Sequence, residues 1–165
     1  MKKNKNNRFE IKDIIVPTDF SGHSEVAMDY ALFLAGHFKT QVRVLHVIDE
    51  STISSIKHSL MSSPEDQMKK LSIIIRKNAG HFMDKFIAKF SKKGVKISTE
   101  ITRGIPFLEI IRHAQRKKAS MIIMGTKGLT GIKSILIGST AEKVVRKSYC
   151  PVLTIKSKEF DFELS

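Results

Sequence analysis

MIIMGTKGLTGIKSILIGSTAE, residues 121–142, is the stretch whose reading decides the fold. It opens with an apolar run, Met121 to Met124, bounded by Ser120 and Gly125, which reads as a buried strand. It closes on Ser139, with Glu142 three residues later and an apolar pattern behind, which predicts a helix start with a capping box. Between the two lie Gly125, Gly128, Gly131 and Gly138, with Lys127 and Lys133. Glycine allows tight turns and close backbone approach, so free N–H groups can converge on an anion. The helix beginning at Ser139 adds unpaired N–H groups and the positive end of its dipole. The segment is therefore expected to cradle the phosphates of a nucleotide.

Outward from this unit the chain alternates strands and helices. Ile11 to Val16 predicts a first strand, ended by Pro17-Thr18-Asp19, and a helix follows from about Ser21. Its inward face is expected to carry Val26, Ala27, Tyr30, Ala31, Leu34, Ala35 and Phe38. Gln41 to Val47 is the second strand, and serine-rich residues 49–63 read as a loop. Ser63-Pro64-Glu65-Asp66 starts a helix that turns Met68, Leu71, Ile75, Ala79, Phe82, Phe86 and Phe90 inward. Val95 to Thr102 alternates apolar with polar residues, as a half-exposed edge strand does. A helix with Phe107, Ile110, Ile111 and Ala114 inward precedes the 121–124 strand, and Pro151 introduces a last one, Val152 to Lys156.

Such alternation predicts an α/β fold, a parallel sheet with helices on both faces. Ligands bind beyond the carboxyl ends of such strands, where the winding reverses. If the first and fourth strands are neighbours there, Asp19 and the Gly125 loop face one crevice, bordered by the chain after Val47.

The bulk properties fit one globular domain, residues 10–157, between a disordered basic tail (1–9) and a short C-terminal tail (158–165). The 165 residues are 41% hydrophobic and 27% charged. A lone cysteine, Cys150, excludes an internal disulfide. No apolar run reaches the roughly 20 residues of a membrane helix. The basic N-terminus lacks a signal peptide's apolar stretch, so a cytoplasmic protein is expected. The formal net charge is +13, of which Lys2, Lys3, Lys5 and Arg8 contribute four. The cations are dispersed without interleaved aromatics, so a nucleic-acid partner stays open but is not favoured.

The spacing Gly125-x2-Gly128-x9-Gly138-Ser139 occurs with Ile15-Val16-Pro17-Thr18-Asp19-Phe20-Ser21, Leu45-His46-Val47, Gly104-Ile105-Pro106 and Cys150-Pro151-Val152. Together these resemble the universal stress protein (UspA-like) family over residues 11–156, and within it the ATP-binding subgroup. The resemblance implies a Rossmann-like five-stranded sheet of order 3-2-1-4-5, bound ATP with Mg²⁺, and dimers. It assigns adenosine contacts to the Pro17-Thr18-Asp19 turn and the backbone of Val47. It places Met124 and Gly125 along the ribose, and gives the phosphates to Gly128, Gly138, Ser139 and Thr140. Lys127 stands where the family often has histidine; a lysine there either adds a flexible positive charge near the phosphates or faces water.

The residues also carry rival readings. Ser139 can cap its helix while the amides bind phosphate, and Asp19 can be a helix N-cap. No Walker A pattern or G-x-G-x-x-G is present, and the first strand lacks the paired acids of a receiver domain. The histidines show no metal-ligand spacing; His46 and Cys150 read as packed residues. The apolar final strand, 152–156, would leave an open edge, which a homodimer closes. The expectation is a dimeric, nucleotide-dependent regulator in stress response rather than an enzyme. The alternatives are an interaction module with a vestigial pocket and a slow ATPase.

Overall fold

Apolar runs form the strands β1 (Asp13–Pro17), β4 (Met121–Gly125) and β5 (Val152–Ile155), and segments that mix apolar with polar residues form β2 (Gln41–Asp49) and β3 (Ile97–Gly104). The structure is a computed structural model and describes residues 10–59, 65–90, 94–126 and 137–156. The five strands make one parallel sheet of order β3-β2-β1-β4-β5. The expected 3-2-1-4-5 winding is what is observed, and β1 and β4 are neighbours, with Ile14 opposite Met121.

The helices are α1 (Gly22–Phe38), α2 (Glu50–Ser59), α3 (Glu65–Ala88), α4 (Pro106–Lys117) and α5 (Ser139–Lys147). Side chains alternate across a strand, so the sheet feeds two cores. Ile14, Val16, Val42 and Val44 pack with α1 and α3, including Met28, Met83 and Phe86. Ile15, Leu45 and Ile122 point the other way and pack with Ile110, Ala114 and Val144 of α4 and α5. Burial on both faces explains why the central strands read as continuous apolar runs. Edge strand β3 is only partly covered, as its alternation implied. Among the described residues no helix is long and apolar enough to cross a membrane.

Three expectations need correction. Residues 50–59 of the expected loop form α2, tied to β2 where the Ser51 N–H donates to Asp49 Oδ1 at 2.9 Å. Helix α1 is rotated from the expected face: Ala27, Met28, Ala31, Leu32 and Ala35 are buried, whereas Tyr30 and Phe38 are about half exposed. The small alanines let the helix lie close to the sheet. In α3, Met83 takes the inward place expected of Phe82, which is 52% exposed. Ser63, Pro64 and both tails lie outside the described residues.

Candidate functional site

A cleft of about 340 Å³ opens at the carboxyl ends of β1, β2 and β4, between the first turns of α4 and α5. Its floor begins with the turn after β1. The Thr18 N–H donates to the Leu45 carbonyl (2.8 Å), and the Thr18 hydroxyl donates to Ser24 Oγ (3.0 Å). Asp19 Oδ1 accepts from both the Ser21 N–H (3.1 Å) and the Ser21 hydroxyl (2.6 Å). His46 Nδ1 donates to the Thr18 carbonyl at 2.8 Å, and its ring stacks on Phe20 with centroids 4.3 Å apart. Phe20 adopts a left-handed backbone, φ 66°, which is rare for a bulky residue and costs on the order of 1–3 kcal/mol. The surrounding bonds over-determine that conformation, so the turn is held in one shape.

The opposite wall comes from β4 and α5. Thr126 donates its N–H to Ile155 (3.0 Å), and its carbonyl accepts from the Gly138 N–H (2.6 Å), which brings the two ends of the glycine segment together. Gly138 is the N-cap of α5, with extended backbone (φ −67°, ψ 153°) and no side-chain cap. The first intrahelical bond runs from Glu142 N–H to the Gly138 carbonyl at 2.9 Å. The N–H groups of Ser139, Thr140 and Ala141 therefore have no partner among the described residues, and all three residues line the cleft. Donors of this kind at a helix N-terminus are able to hydrogen-bond an anion.

A model of the universal stress protein family matches residues 10–156 of this chain. The chain belongs to the universal stress protein family. Universal stress protein MJ0531 of Methanocaldococcus jannaschii is 35% identical over 145 residues, 88% of this chain and 82% of that protein. The solved structure of MJ0577 from the same organism is 34% identical, covers 92% of this chain and 99% of its own, and superposes with a TM-score of 0.77. A universal stress protein from Archaeoglobus fulgidus, solved in complex with dAMP, shares the fold at 19% identity, with 90% and 100% coverage and a TM-score of 0.60.

In this universal stress protein, Pro17, Thr18, Asp19, Val47, Met124, Gly125, Gly138, Ser139 and Thr140 all line the one cleft. Lys127 and Gly128 lie outside the described residues. The capping box expected of Ser139 and Glu142 is not formed. Gly138 takes the extended cap conformation, so Ser139 is the first helical residue and sits one position too late. Asp19 is not the cap of α1 either; Ser21 is, accepting from the Ser24 N–H. Asp49 and His46 also line the cleft and were not expected there as site residues. Position at a strand's carboxyl end was the available signal for both.

Gly125 has a role the spacing alone did not reveal. A Cβ placed on it meets the Cβ and carbonyl oxygen of His23 at 3.0 Å each, so its bare backbone lets the start of α1 press against the end of β4. Cys150 is buried, as expected of a small packed residue. Among the described residues no cluster of metal-ligating side chains occurs.

Burial pushes the pKa of His46 down, against the opposing pull of the Thr18 carbonyl and Asp19. His113, 2% exposed on α4, is also pushed down chiefly by burial, while nearby Glu100 pulls the other way. The Arg116 guanidinium donates to His113 Nδ1 at 3.1 Å, which suits a neutral ring. Between the ordinary value of 6.5 and the lower folded value, the unfolded chain binds more protons than the folded one. Stability is thus complete above about pH 6.5 and falls as the pH drops past it. Urea midpoints should be lower at pH 5.5 than at pH 7.5, with a smaller difference in His113→Gln. A midpoint that rises on acidification contradicts the assignment.

Proposed function

We propose that this universal stress protein binds ATP in the cleft and acts as a nucleotide-dependent regulator. The observation that carries the reading is the uncapped N-terminus of α5, whose three unpartnered N–H groups open into the cleft. Phosphates fit that end by charge and by hydrogen bonding. The adenosine would lie toward Asp19 and Val47, as the family resemblance implies. That another protein of this fold was solved with dAMP supports an adenine nucleotide as the class of ligand.

Mg²⁺ would ride on the phosphates and keep most of its waters, since it needs few protein ligands. The hydroxyls of Ser139 and Thr140 suit its hydrated shell. Fast hydrolysis is not part of the proposal. The possible bases that line the cleft already have partners: Asp19 accepts from Ser21, Asp49 accepts from the Ser51 N–H, and His46 Nδ1 donates to the Thr18 carbonyl. The open edge of β5, which pairs with β4 on its other side, is the surface we assign to a homodimer. We place the protein in the cytoplasm, in keeping with its lone cysteine.

Calorimetric titration with ATP, ADP and AMP tests the reading. ATP should bind most tightly, and Asp19→Asn should weaken it at least tenfold. That change keeps an oxygen for Ser21 but replaces the other with a donor NH₂. Failure of the wild-type protein to bind any of the three would favour an interaction module with a vestigial pocket. Steady phosphate release from ATP would favour the ATPase reading.

A further inference from the structure

We propose that the end of the sheet opposite the cleft binds the phosphodiester backbone of double-stranded nucleic acid, through a row of lysines at the entrances to four adjacent strands. Lys96 precedes β3, Lys39 lies two residues before β2, Lys12 precedes β1 and Lys118 lies three residues before β4. The sheet order sets them side by side in that sequence, and all four are exposed. Neighbouring strands lie roughly 4.8 Å apart, so the row spans roughly 14 Å. A duplex carries one charge per roughly 1.7 Å of its axis, so a length equal to that span carries roughly eight phosphates on its two strands together.

The backbone beneath the row is tied together. The Lys12 N–H donates to Ser120 Oγ (2.9 Å) and the Ser120 N–H to the Asp13 carbonyl (2.9 Å). The Thr40 hydroxyl donates to the Lys12 carbonyl, and the Val42 N–H donates to the Lys96 carbonyl at 3.0 Å. The acids at this end are already engaged: Glu10 with Lys12 and Asp13 with Arg43, each at 3.1 Å. Among the described residues no carboxylate pairs with Lys39, Lys96 or Lys118. Lys39 and Lys118 both occupy left-handed helix ends, φ 52° and 51°, where glycine or asparagine is the usual choice.

The hydroxyls of Thr40 and Ser120 hold the backbone at this end, and between them the side-chain amide of Gln41 offers N–H donors that suit phosphate oxygens. A lipid surface would need apolar side chains to insert, and a single strand would need a platform of rings. Among the described residues two half-exposed rings on different elements, Phe38 and Tyr149, flank the row, and the Tyr149 hydroxyl is tied to the Ala114 and Ala119 carbonyls.

Fluorescence anisotropy of the full chain with a labelled 20-base-pair duplex of arbitrary sequence tests the proposal. Binding is expected in 50 mM NaCl, with log K falling linearly in log salt. Lys39→Asn/Lys96→Gln/Lys118→Asn should flatten that slope by roughly 2.7, three phosphates at roughly 0.9 each, and weaken binding at least tenfold. Asparagine is at ease in the left-handed conformation, so the variant should keep the wild-type melting temperature. It should also keep any ATP response, because the cleft lies at the far end. Absence of binding by the wild type, or an unchanged slope in the variant, overturns the proposal. So does binding to a single strand or to phosphatidylserine vesicles without binding to the duplex. If ATP itself fails to bind, the duplex result stands independently.

Discussion

Gly125→Val should lower the melting temperature by roughly 4–12 °C, corresponding to roughly 2–3 kcal/mol of overpacking. A single added Cβ would already sit 3.0 Å from both the Cβ and the carbonyl oxygen of His23 and 3.1 Å from its carbonyl carbon. Two of those three atoms are backbone, in the first turn of α1, and cannot rotate aside. The turn is also pinned from below, by the Ser21 cap and the Thr18–Ser24 hydrogen bond. Relief has to come from moving α1 away from β4. Alanine should cost about 1 kcal/mol and valine clearly more, in thermal or urea melts. Because the same displacement spreads the two walls of the cleft, ligand affinity should fall with stability. Equal melting temperatures for wild type and Gly125→Val would show that the approach of α1 to β4 is looser than described.

The second large effect separates affinity from stability. Ser139→Pro removes one N–H from the mouth of α5 and should weaken ATP binding by roughly 10- to 100-fold, the worth of one hydrogen bond to a charged group. The fold should tolerate it. Ser139 is the first helical residue, where proline's fixed φ fits and its missing N–H breaks no intrahelical bond. Gly138, with ψ 153°, already has the extended backbone that a residue before proline requires. Melting within about 2 °C of wild type is expected alongside the lost affinity. A fall in both would mean that Ser139 supports the helix rather than the ligand.

Much of this architecture can be read in the residues themselves. The alternation of strands and helices, and the apolar runs at Ile14–Val16 and Met121–Met124, follow from burial of a parallel sheet on both faces. The convergence of Asp19, Val47 and Gly138 follows from the neighbouring of β1 and β4. The face of α1 was not legible because the helix is apolar on two sides. Val26, Tyr30, Phe33 and Phe38 compete with Ala27, Met28, Ala31 and Leu32, and periodicity then defines no single stripe. Helix α2 was hidden by its serines and its scarcity of apolar residues, of which Ile53 is buried. Asp49-Glu50 just before Ser51 was the overlooked start signal.

The shift of the α5 cap from Ser139 to Gly138 has a different origin. S-x-x-E matches equally well with its serine at the cap or one residue inside, and only the backbone angles decide. The left-handed Phe20 was illegible for a similar reason. Nothing local favours it, and it is held by partners distant in sequence, His46 and Phe86. His113 gave no signal either, since its burial depends on the packing of α4 against the sheet, with Glu100 of β3 beside it.

The most direct measurement is an amide ¹H–¹⁵N correlation spectrum of the full chain, titrated with ATP and Mg²⁺. The amides of Ser139, Thr140 and Ala141 should move most, together with those of Asp19 and Val47, and adenosine alone should move only the latter pair. Shifts confined to other surfaces, or amides at the start of α5 that ignore ATP while it binds elsewhere, would contradict the placement of the phosphates on that helix.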